Sequence, residues 1–363
     1  MKTKTEARPP APPAPPALVA SRTRRSAHGT VGGGPVTLEM VAQASGVSPS
    51  TVSRILNGTA VVSELKKAAV DEAIARLGFV PNPVARGLAG GRTLSIGVVT
   101  QAIDSPFYGA AMRGIEAELD QAGYAPLFVS GHWNAVEEAR AIEVLRSRRV
   151  DGLIVLTGRL SDSALRAHAK SLPVVVLGRR LKAPGLVSLD FDNFEGGRLA
   201  THHLLALGHR RIVFIAGDPQ HPDSVDRERG YRAALEAAGL GYDPALVMPG
   251  AFHEESGLLA VERLLESRQR FSAIFAANDQ MAFGAALGLH RRRLRVPDEV
   301  SLVGFDDLPQ ARYVIPPLTT VQHPAQAMGR LAAVAMLQLL RGEKPALQVP
   351  PPRVVVRESS RQV

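Results

Sequence analysis

The sequence predicts an α/β protein: a small three-helix head at the amino end, then two tandem doubly wound parallel sheets. Three observations lead there. Residues 36–78 hold three short helical segments separated by glycine and serine breaks. From Leu94 onward, short apolar runs alternate with amphipathic stretches of helical length. The chain has 363 residues, and the alternating part is too long for one sheet and its core.

Taken in order, residues 1–35 come first. Pro9–Pro16 has six prolines in eight residues, followed by Arg22, Arg24, Arg25 and the triplet Gly32–Gly34. Without apolar periodicity such a stretch cannot offset its chain entropy, so a disordered, basic, Pro-rich tail is expected. Leu38, Val41 and Ala42 then stand at helical spacing behind Thr37, a candidate N-cap, and Gly46 ends that helix. Ser48-Pro49 is a cap followed by proline at the first helical position, opening Pro49–Leu56. Ser63 caps Glu64–Leu77, which ends at Gly78. Three helices, the first two joined by a tight glycine turn, make a helix-turn-helix module. Beyond it, Leu94–Thr100, Pro126–Ser130, Gly152–Leu156, Val174–Leu177, Arg211–Ile215, Ala273–Ala276 and Val300–Phe305 read as strands buried on both faces. Between them Phe107–Ala122, Val136–Arg148, Glu195–Leu207, Arg229–Ala238 and Met281–His290 read as helices. A (β/α)₈ barrel has a similar number of elements and is the alternative architecture. No repeat of 20–50 residues is evident.

The net charge of +9 is concentrated near the amino end, where residues 1–35 carry six Lys/Arg against one Glu. On charge alone, a nucleic-acid partner and a merely solvated tail are equally good explanations. Cysteine is absent, which excludes disulfides, thiolate metal sites and cysteine nucleophiles. No apolar run reaches membrane-spanning length, and the basic amino end lacks the apolar stretch of a signal peptide. A soluble, cytoplasmic protein without membrane contact is expected.

Enzyme signatures are missing. There is no phosphate-binding G-x-x-x-x-G-K-[ST], no G-x-S-x-G, and no G-x-G-x-x-G after the first strand. His253-Glu254 begins like a zinc-protease motif, but Gly257 stands in the second histidine position. His202, His203 and His209 read as a surface helix face rather than a metal site. Asp190-Phe-Asp192-Asn193 starts like a calcium loop, yet Phe194 occupies the next ligand position. No catalytic set and no cofactor are expected.

The second helix is more informative. Val52 and Leu56 form an inward i, i+4 pair, which leaves Pro49, Ser50, Ser53, Arg54 and Asn57 facing outward. Arg54 suits bidentate reading of guanine, while Ser50, Thr51, Ser53 and Asn57 can reach phosphates or base edges.

At this point a family becomes recognisable. Val36-Thr37-Leu38, Val41-Ala42, Ser45-Gly46-Val47-Ser48, Thr51-Val52-Ser53-Arg54, and then Pro81-Asn82, Ala85 and Leu88 resemble the head of lactose/galactose repressors, the LacI/GalR family. The likeness continues through Asp104–Tyr108, Val150–Ile154, Asp192-Asn193, Gly208-His209, Ala277–Ala282, Gly304–Asp307 and Pro316–Thr320, so it runs from residue 36 to about 358. It implies a helix-turn-helix head at 36–81, a hinge at 82–92, and two Rossmann-like subdomains of the periplasmic-binding-protein type. These would be 93–192 with 325–340, and 193–322 with 346–358. It also implies a transcriptional regulator, most naturally a repressor, controlled by a small effector such as a sugar. A sugar sensor or transport protein without DNA binding, and a sugar-processing enzyme, are the alternatives.

The same resemblance assigns roles. Thr37, Ser48, Pro49, Ser50, Thr51, Ser53, Arg54 and Asn57 would contact double-stranded operator DNA, joined by Asn82 and Ala85 of the hinge. Leu88 would wedge into the minor groove from a hinge that turns helical on the operator, unless 82–92 is a plain linker. Phe107, Tyr108, Arg179, Asp192, Arg227, Phe252, Asn278 and Asp306 would line the effector site. Arg179 has a second reading, an ion pair with Asp190 or Asp192. With Arg179 and Arg227 both in the cleft, a sugar acid or sugar phosphate stands beside a neutral sugar. Nothing after Arg357 resembles the leucine-rich tetramerisation tail of some relatives, so a homodimer on a pseudo-palindrome is expected.

Overall fold

The structure, a computed structural model, describes residues 36–56, 62–80 and 92–363. The expected tail, most of the expected hinge, and with them Asn57, Asn82, Ala85 and Leu88 lie outside the described residues. The chain divides into two compact units between residues 81 and 82.

The first unit holds α1 (Leu38–Ser45), α2 (Pro49–Leu56) and α3 (Glu64–Leu77). Thr37 caps α1, its Oγ1 accepting from the Met40 N–H at 3.4 Å. Gly46 ends α1 at φ 67°, a left-handed conformation that lets the chain turn at once into α2. Val41 and Ala42 of α1, Val52 of α2, and Val70 and Ala73 of α3 close on Phe79 as one small core. Burying a side chain such as Val52 fully is worth roughly 1.5–3 kcal/mol, so α2 is anchored mainly at this point.

In the second unit, β1 (Ser95–Thr100), β2 (Ala125–Ser130), β3 (Gly152–Val155), β4 (Val174–Leu177) and β5 (Leu186–Leu189) form a parallel sheet in the order β2-β1-β3-β4-β5. Helices α4 (Pro106–Gln121), α5 (Ala135–Ser147) and α6 (Asp162–Ala169) connect successive strands. The second sheet follows, with α7 (Asn193–Ala206), β6 (Ile212–Ile215), α8 (Pro222–Ala237), β7 (Val247–Met248), α9 (Glu254–Glu266), β8 (Ala273–Ala276), α10 (Asp279–Arg291), β9 (Ser301–Asp306) and β10 (Thr319–Gln322). The chain then returns to the first sheet as α11 (Ala325–Leu340), packed on α4, β3 and β4, and ends on the second with β11 (Arg353–Val355), antiparallel to β10. The order there is β11-β10-β9-β8-β6-β7.

Both sheets are open, with β2 and β5 as the edges of the first, so the barrel alternative falls. Each has its topological switch at its first strand: β1 lies between β2 and β3, β6 between β7 and β8. Ligands in such sheets sit beyond the carboxyl ends of the strands, beside that switch. Central strands β3, β4, β6 and β8 are buried along their whole length, which is why they read as unbroken apolar runs.

Several elements differ from the sequence reading. The stretch read as starting at Arg229 begins at Pro222, seven residues earlier, and α6, α9 and β5 were not anticipated. His203 and His209 do not form a surface face. His209 is buried, its ring bridging Ser272 Oγ at 2.8 Å and the Arg361 carbonyl at 3.1 Å, while His203 meets Ser360 Oγ at 2.9 Å. These histidines hold the carboxyl-terminal segment against the second subdomain. His253 is also structural, capping α9.

Candidate functional site

On the head, α2 presents a small polar surface. Ser48, Pro49, Ser50 and Arg54 are exposed, while Thr51 and Ser53 are half-buried. Ser48 Oγ accepts from the Thr51 N–H at 3.3 Å and lies 2.8 Å from Thr51 Oγ1 and 3.0 Å from Ser50 Oγ, so the start of α2 is a cluster of linked hydroxyls. Proline at the first position removes a donor the helix could not use, and α2 has no acidic residue in its first turn. The positive end of such a helix, with Arg54 one and a half turns on, makes a surface suited to an anionic backbone.

In the second unit a cleft of about 270 Å³ opens between the two sheets. Its first wall is aromatic: Phe107 and Tyr108 from the first turn of α4, and Trp133 from the turn after β2. His132 and Trp133 both sit at positive φ, 51° and 54°. Non-glycine residues hold that conformation only where their surroundings enforce it. Here the enforcing contact is the Trp133 N–H donating to Oε1 of buried Gln101 at 3.0 Å, just before Asn134 caps α5.

The facing wall is ionic. His221 and Asp223 start α8, Arg227 lies one turn further, Asn278 caps α10, and Asp306 ends β9. Arg227 is 3% exposed. Its Nε donates to Asn193 Oδ1 at 2.9 Å and its Nη1 to the Ala277 carbonyl at 2.5 Å. Asp306 Oδ1 lies 3.6 Å from Nη1 and Asp223 Oδ2 4.0 Å from Nη2, while the guanidinium plane covers the Phe305 ring at 3.7 Å. Helices α7 and α8 approach closely to make this possible: a Cβ on Gly197 would come 2.3 Å from the Arg227 carbonyl oxygen.

Burial sets the charges. It pushes the Asp306 carboxyl up to about 7, with Arg227 pulling down and Asp223 pushing up. It also raises the Tyr108 phenol well above its usual range, helped by Asp223 and Asp306, and holds His221 below the usual imidazole value. Asp306 itself sits at φ 115°, a strained backbone at the site's centre.

Contacts also cross the cleft. Arg159, after β3, pairs with Asp218 at 2.8 Å and with Gln220, both beyond β6. Trp133 meets the His221 ring with centroids 4.2 Å apart.

Phe107, Tyr108, Arg227, Phe252, Asn278 and Asp306 thus come together as expected from the sequence. Asn278 is more committed than anticipated, its Oδ1 accepting from the Met281 N–H and its Nδ2 donating to the Phe252 carbonyl at 3.0 Å. Arg179 and Asp192 do not line this cleft. Arg179 donates to the carbonyls of Gly158 and Leu160 and pairs with Asp162 at 3.2 Å, so it braces a loop. Its anticipated partner Asp190 is taken by Arg180 at 2.5 Å, and Asp192 caps α7. Both line a separate, open groove of about 660 Å³ whose walls mix acids and arginines. Trp133, His221 and Asp223 were missed, although the only tryptophan at a strand's carboxyl end and a His-Pro-Asp helix start are readable signals. Among the described residues no cluster of His, Asp or Glu is placed to hold a metal, and no helix is long and apolar enough to cross a membrane.

With this geometry in hand, relatives can be placed. The model of bacterial regulatory proteins of the lacI family matches residues 37–82, and that of a periplasmic binding protein-like domain matches 201–360. The HTH-type transcriptional regulator CelR of Thermobifida fusca is 37% identical over 333 residues, covering 89% of this chain and 98% of CelR. The chain belongs to the LacI family. A solved complex of CelR with cellobiose covers 89% of this chain and 99% of that one, at 36% identity and a TM-score of 0.67. A lac repressor dimer bound to operator and an anti-inducer covers 90% and 100%, at 30% identity and a TM-score of 0.81. Within the LacI family this chain is a DNA-binding transcriptional regulator, not an enzyme, and its core is of the periplasmic binding protein-like type.

Proposed function

We propose that the chain is a repressor whose homodimer reads a pseudo-palindromic operator and whose cleft takes a neutral sugar. The charge balance of the cleft carries the choice of ligand. Among the described residues, Arg227 is its one buried cation and is already shared by Asp223 and Asp306, while His221 is held neutral. Arg179, which would have favoured an anion, is committed elsewhere. A sugar acid or sugar phosphate would meet carboxylates without a free positive partner. A neutral ring instead finds aromatic faces for its C–H groups and planar polar groups for its hydroxyls. The complex of CelR with cellobiose agrees with this reading.

On the DNA side, Arg54 reads a base, Pro49, Ser50, Thr51 and Ser53 set neighbouring positions, and Thr37 and Ser48 hold phosphates. Asn57, Asn82, Ala85 and Leu88 extend this surface by family resemblance. One such helix spans a few base pairs, and two-fold pairing supplies the second half-site, as in the lac repressor dimer bound to its operator. A sugar moves the head only by binding two subdomain arrangements unequally, with about 5.5 kcal/mol needed for a near-complete switch.

The test joins two measurements on the full chain. Electrophoretic shifts on pseudo-palindromic DNA should show a dimer, with Arg54→Ala losing roughly 1–3 kcal/mol of discrimination against scrambled DNA. A thermal-shift screen should then find stabilisation by a neutral sugar rather than by sugar acids or phosphates. Stabilisation by anions alone would overturn the ligand assignment.

A further inference from the structure

The floor of the cleft continues into a small annex of about 30 Å³, sharing Phe107, Tyr108 and Asp223 with it. That volume exceeds the roughly 10–15 Å³ needed for one small polar group but is far short of a sugar ring. Its walls are largely apolar, from Ala111, Leu156, Leu177 and Met328. The polar side chains beside them are mostly spoken for: Thr157 Oγ1 donates to the Leu177 carbonyl, and Asn193 accepts from Arg227 and donates to the Phe191 carbonyl.

His323 is different. It follows β10, where the chain crosses back towards α11, and is 7% exposed. Its ring stacks on Phe191 at 3.9 Å with planes 8° apart, and Phe107 meets it edge-on at 4.8 Å, so its plane is fixed. Its backbone is tied to the cleft by an N–H donated to the Asp306 carbonyl at 3.2 Å. Yet Nδ1 finds no hydrogen-bond partner among the described residues. Burial, seconded by Arg227, holds the ring neutral, so it keeps one donor and one acceptor. A buried polar atom without a partner is costly and rare, and beside a binding cleft its partner is most simply the ligand.

We infer that His323 reads the exocyclic hydroxymethyl arm of a hexopyranose: the arm's CH₂ fills the apolar annex and its hydroxyl bonds to the imidazole. This rests on the neutral-sugar reading above and narrows it, because pentoses and 6-deoxy sugars lack that hydroxyl. Phe191 and Phe107 set the angle of the ring, and His323 supplies the specificity.

The experiment is calorimetric titration of the full-length protein with sugar pairs differing in this arm: glucose against xylose and 6-deoxyglucose, galactose against arabinose and fucose, and cellobiose against xylobiose. In at least one pair the hexose should bind roughly ten- to a hundredfold more tightly. His323→Phe, which keeps the stacking on Phe191, should bring that ratio close to one, and His323→Gln, which keeps a donor and an acceptor, should restore part of it. Melting temperature and operator binding identify any variant that fails to fold, and the ratio in the parent protein needs no variant. Equal affinity for the arm-bearing and armless sugars, or a ratio unchanged in His323→Phe, overturns this inference alone. Failure of every neutral sugar to bind overturns the sugar reading itself, and this inference with it.

Discussion

The two walls of the cleft are built on opposite plans. On the second subdomain, Arg227, Asn193, Asp223, Asn278 and Asp306 are locked to one another and to backbone carbonyls without any ligand. On the first, Phe107, Tyr108 and Trp133 offer ring faces set by loop geometry and edge contacts, with centroids 5.5 and 6.2 Å apart. A preorganised polar wall fixes a ligand's orientation, since its dipoles need no rearrangement. An aromatic wall contributes area and tolerates small shifts. Under the proposed neutral-sugar function, the contrast gives recognition to the second subdomain and closure to the first, and it can be broken from either side.

The largest effect is expected from the polar wall. Arg227→Ala leaves Asp223 and Asp306 buried without their shared cation, a change of the kind that costs about 3–5 kcal/mol in stability. Sugar response should vanish while operator binding persists. Loss of operator binding with sugar affinity intact would show that the wall has been assigned the wrong task.

Next comes pH. Because burial lifts the Asp306 carboxyl to about 7, the sugar-free fold holds an extra proton between about pH 4 and 7. The stability due to this group is full below the unfolded value near 4 and is lost as pH rises through about 7. Sugar affinity should run the other way, because a hydroxyl donates to the carboxylate. Binding should weaken by up to about tenfold per unit as pH falls below 7, and calorimetry at pH 6 and 8 reads this directly. The groups facing Asp306 are Tyr108, Asp223, Arg227, Asp279 and His323, of which burial pushes Tyr108 and Asp279 up and His323 down. Asp306→Asn should flatten the profile; a profile that survives it belongs to one of those neighbours.

Smaller changes are expected on the aromatic wall and its latch. Trp133→Ala should weaken sugar binding by about 0.5–1.5 kcal/mol with the melting temperature nearly unchanged, as measured by titration and thermal melting. Arg159→Ala removes a half-exposed cross-cleft pair, so its effect on affinity should stay below about 1 kcal/mol. A larger loss from Arg159→Ala than from Trp133→Ala would move closure from stacking to charge.

The legible parts of the fold are those where burial is two-sided. Central strands such as Val174–Leu177 and Ala273–Ala276 carry their context in their own apolar run. By contrast, β10 begins with Thr319 and Thr320, which are fully buried but polar, and β5 is buried only at its ends, so neither shows the pattern. In the site, Arg227 and Asp306 were legible because the family motif spaces them. Trp133, Asp223 and His323 follow β2, β6 and β10, and only the strand order brings them to one cleft. The place of Arg179 outside this cleft is not legible, because nothing local in a sequence reveals that the carbonyls of Gly158 and Leu160 will claim a guanidinium.

Trp133 has a practical consequence beyond binding. It is the only indole in the chain, it is pinned in a left-handed turn, and it touches the opposite subdomain through His221. Its emission therefore reports from one place per subunit, where the two halves of the core meet. Quenching and spectral shift during a titration follow the fraction of closed subunits without any added label. In a two-subunit assembly the shape of that curve separates independent clefts from clefts that close together.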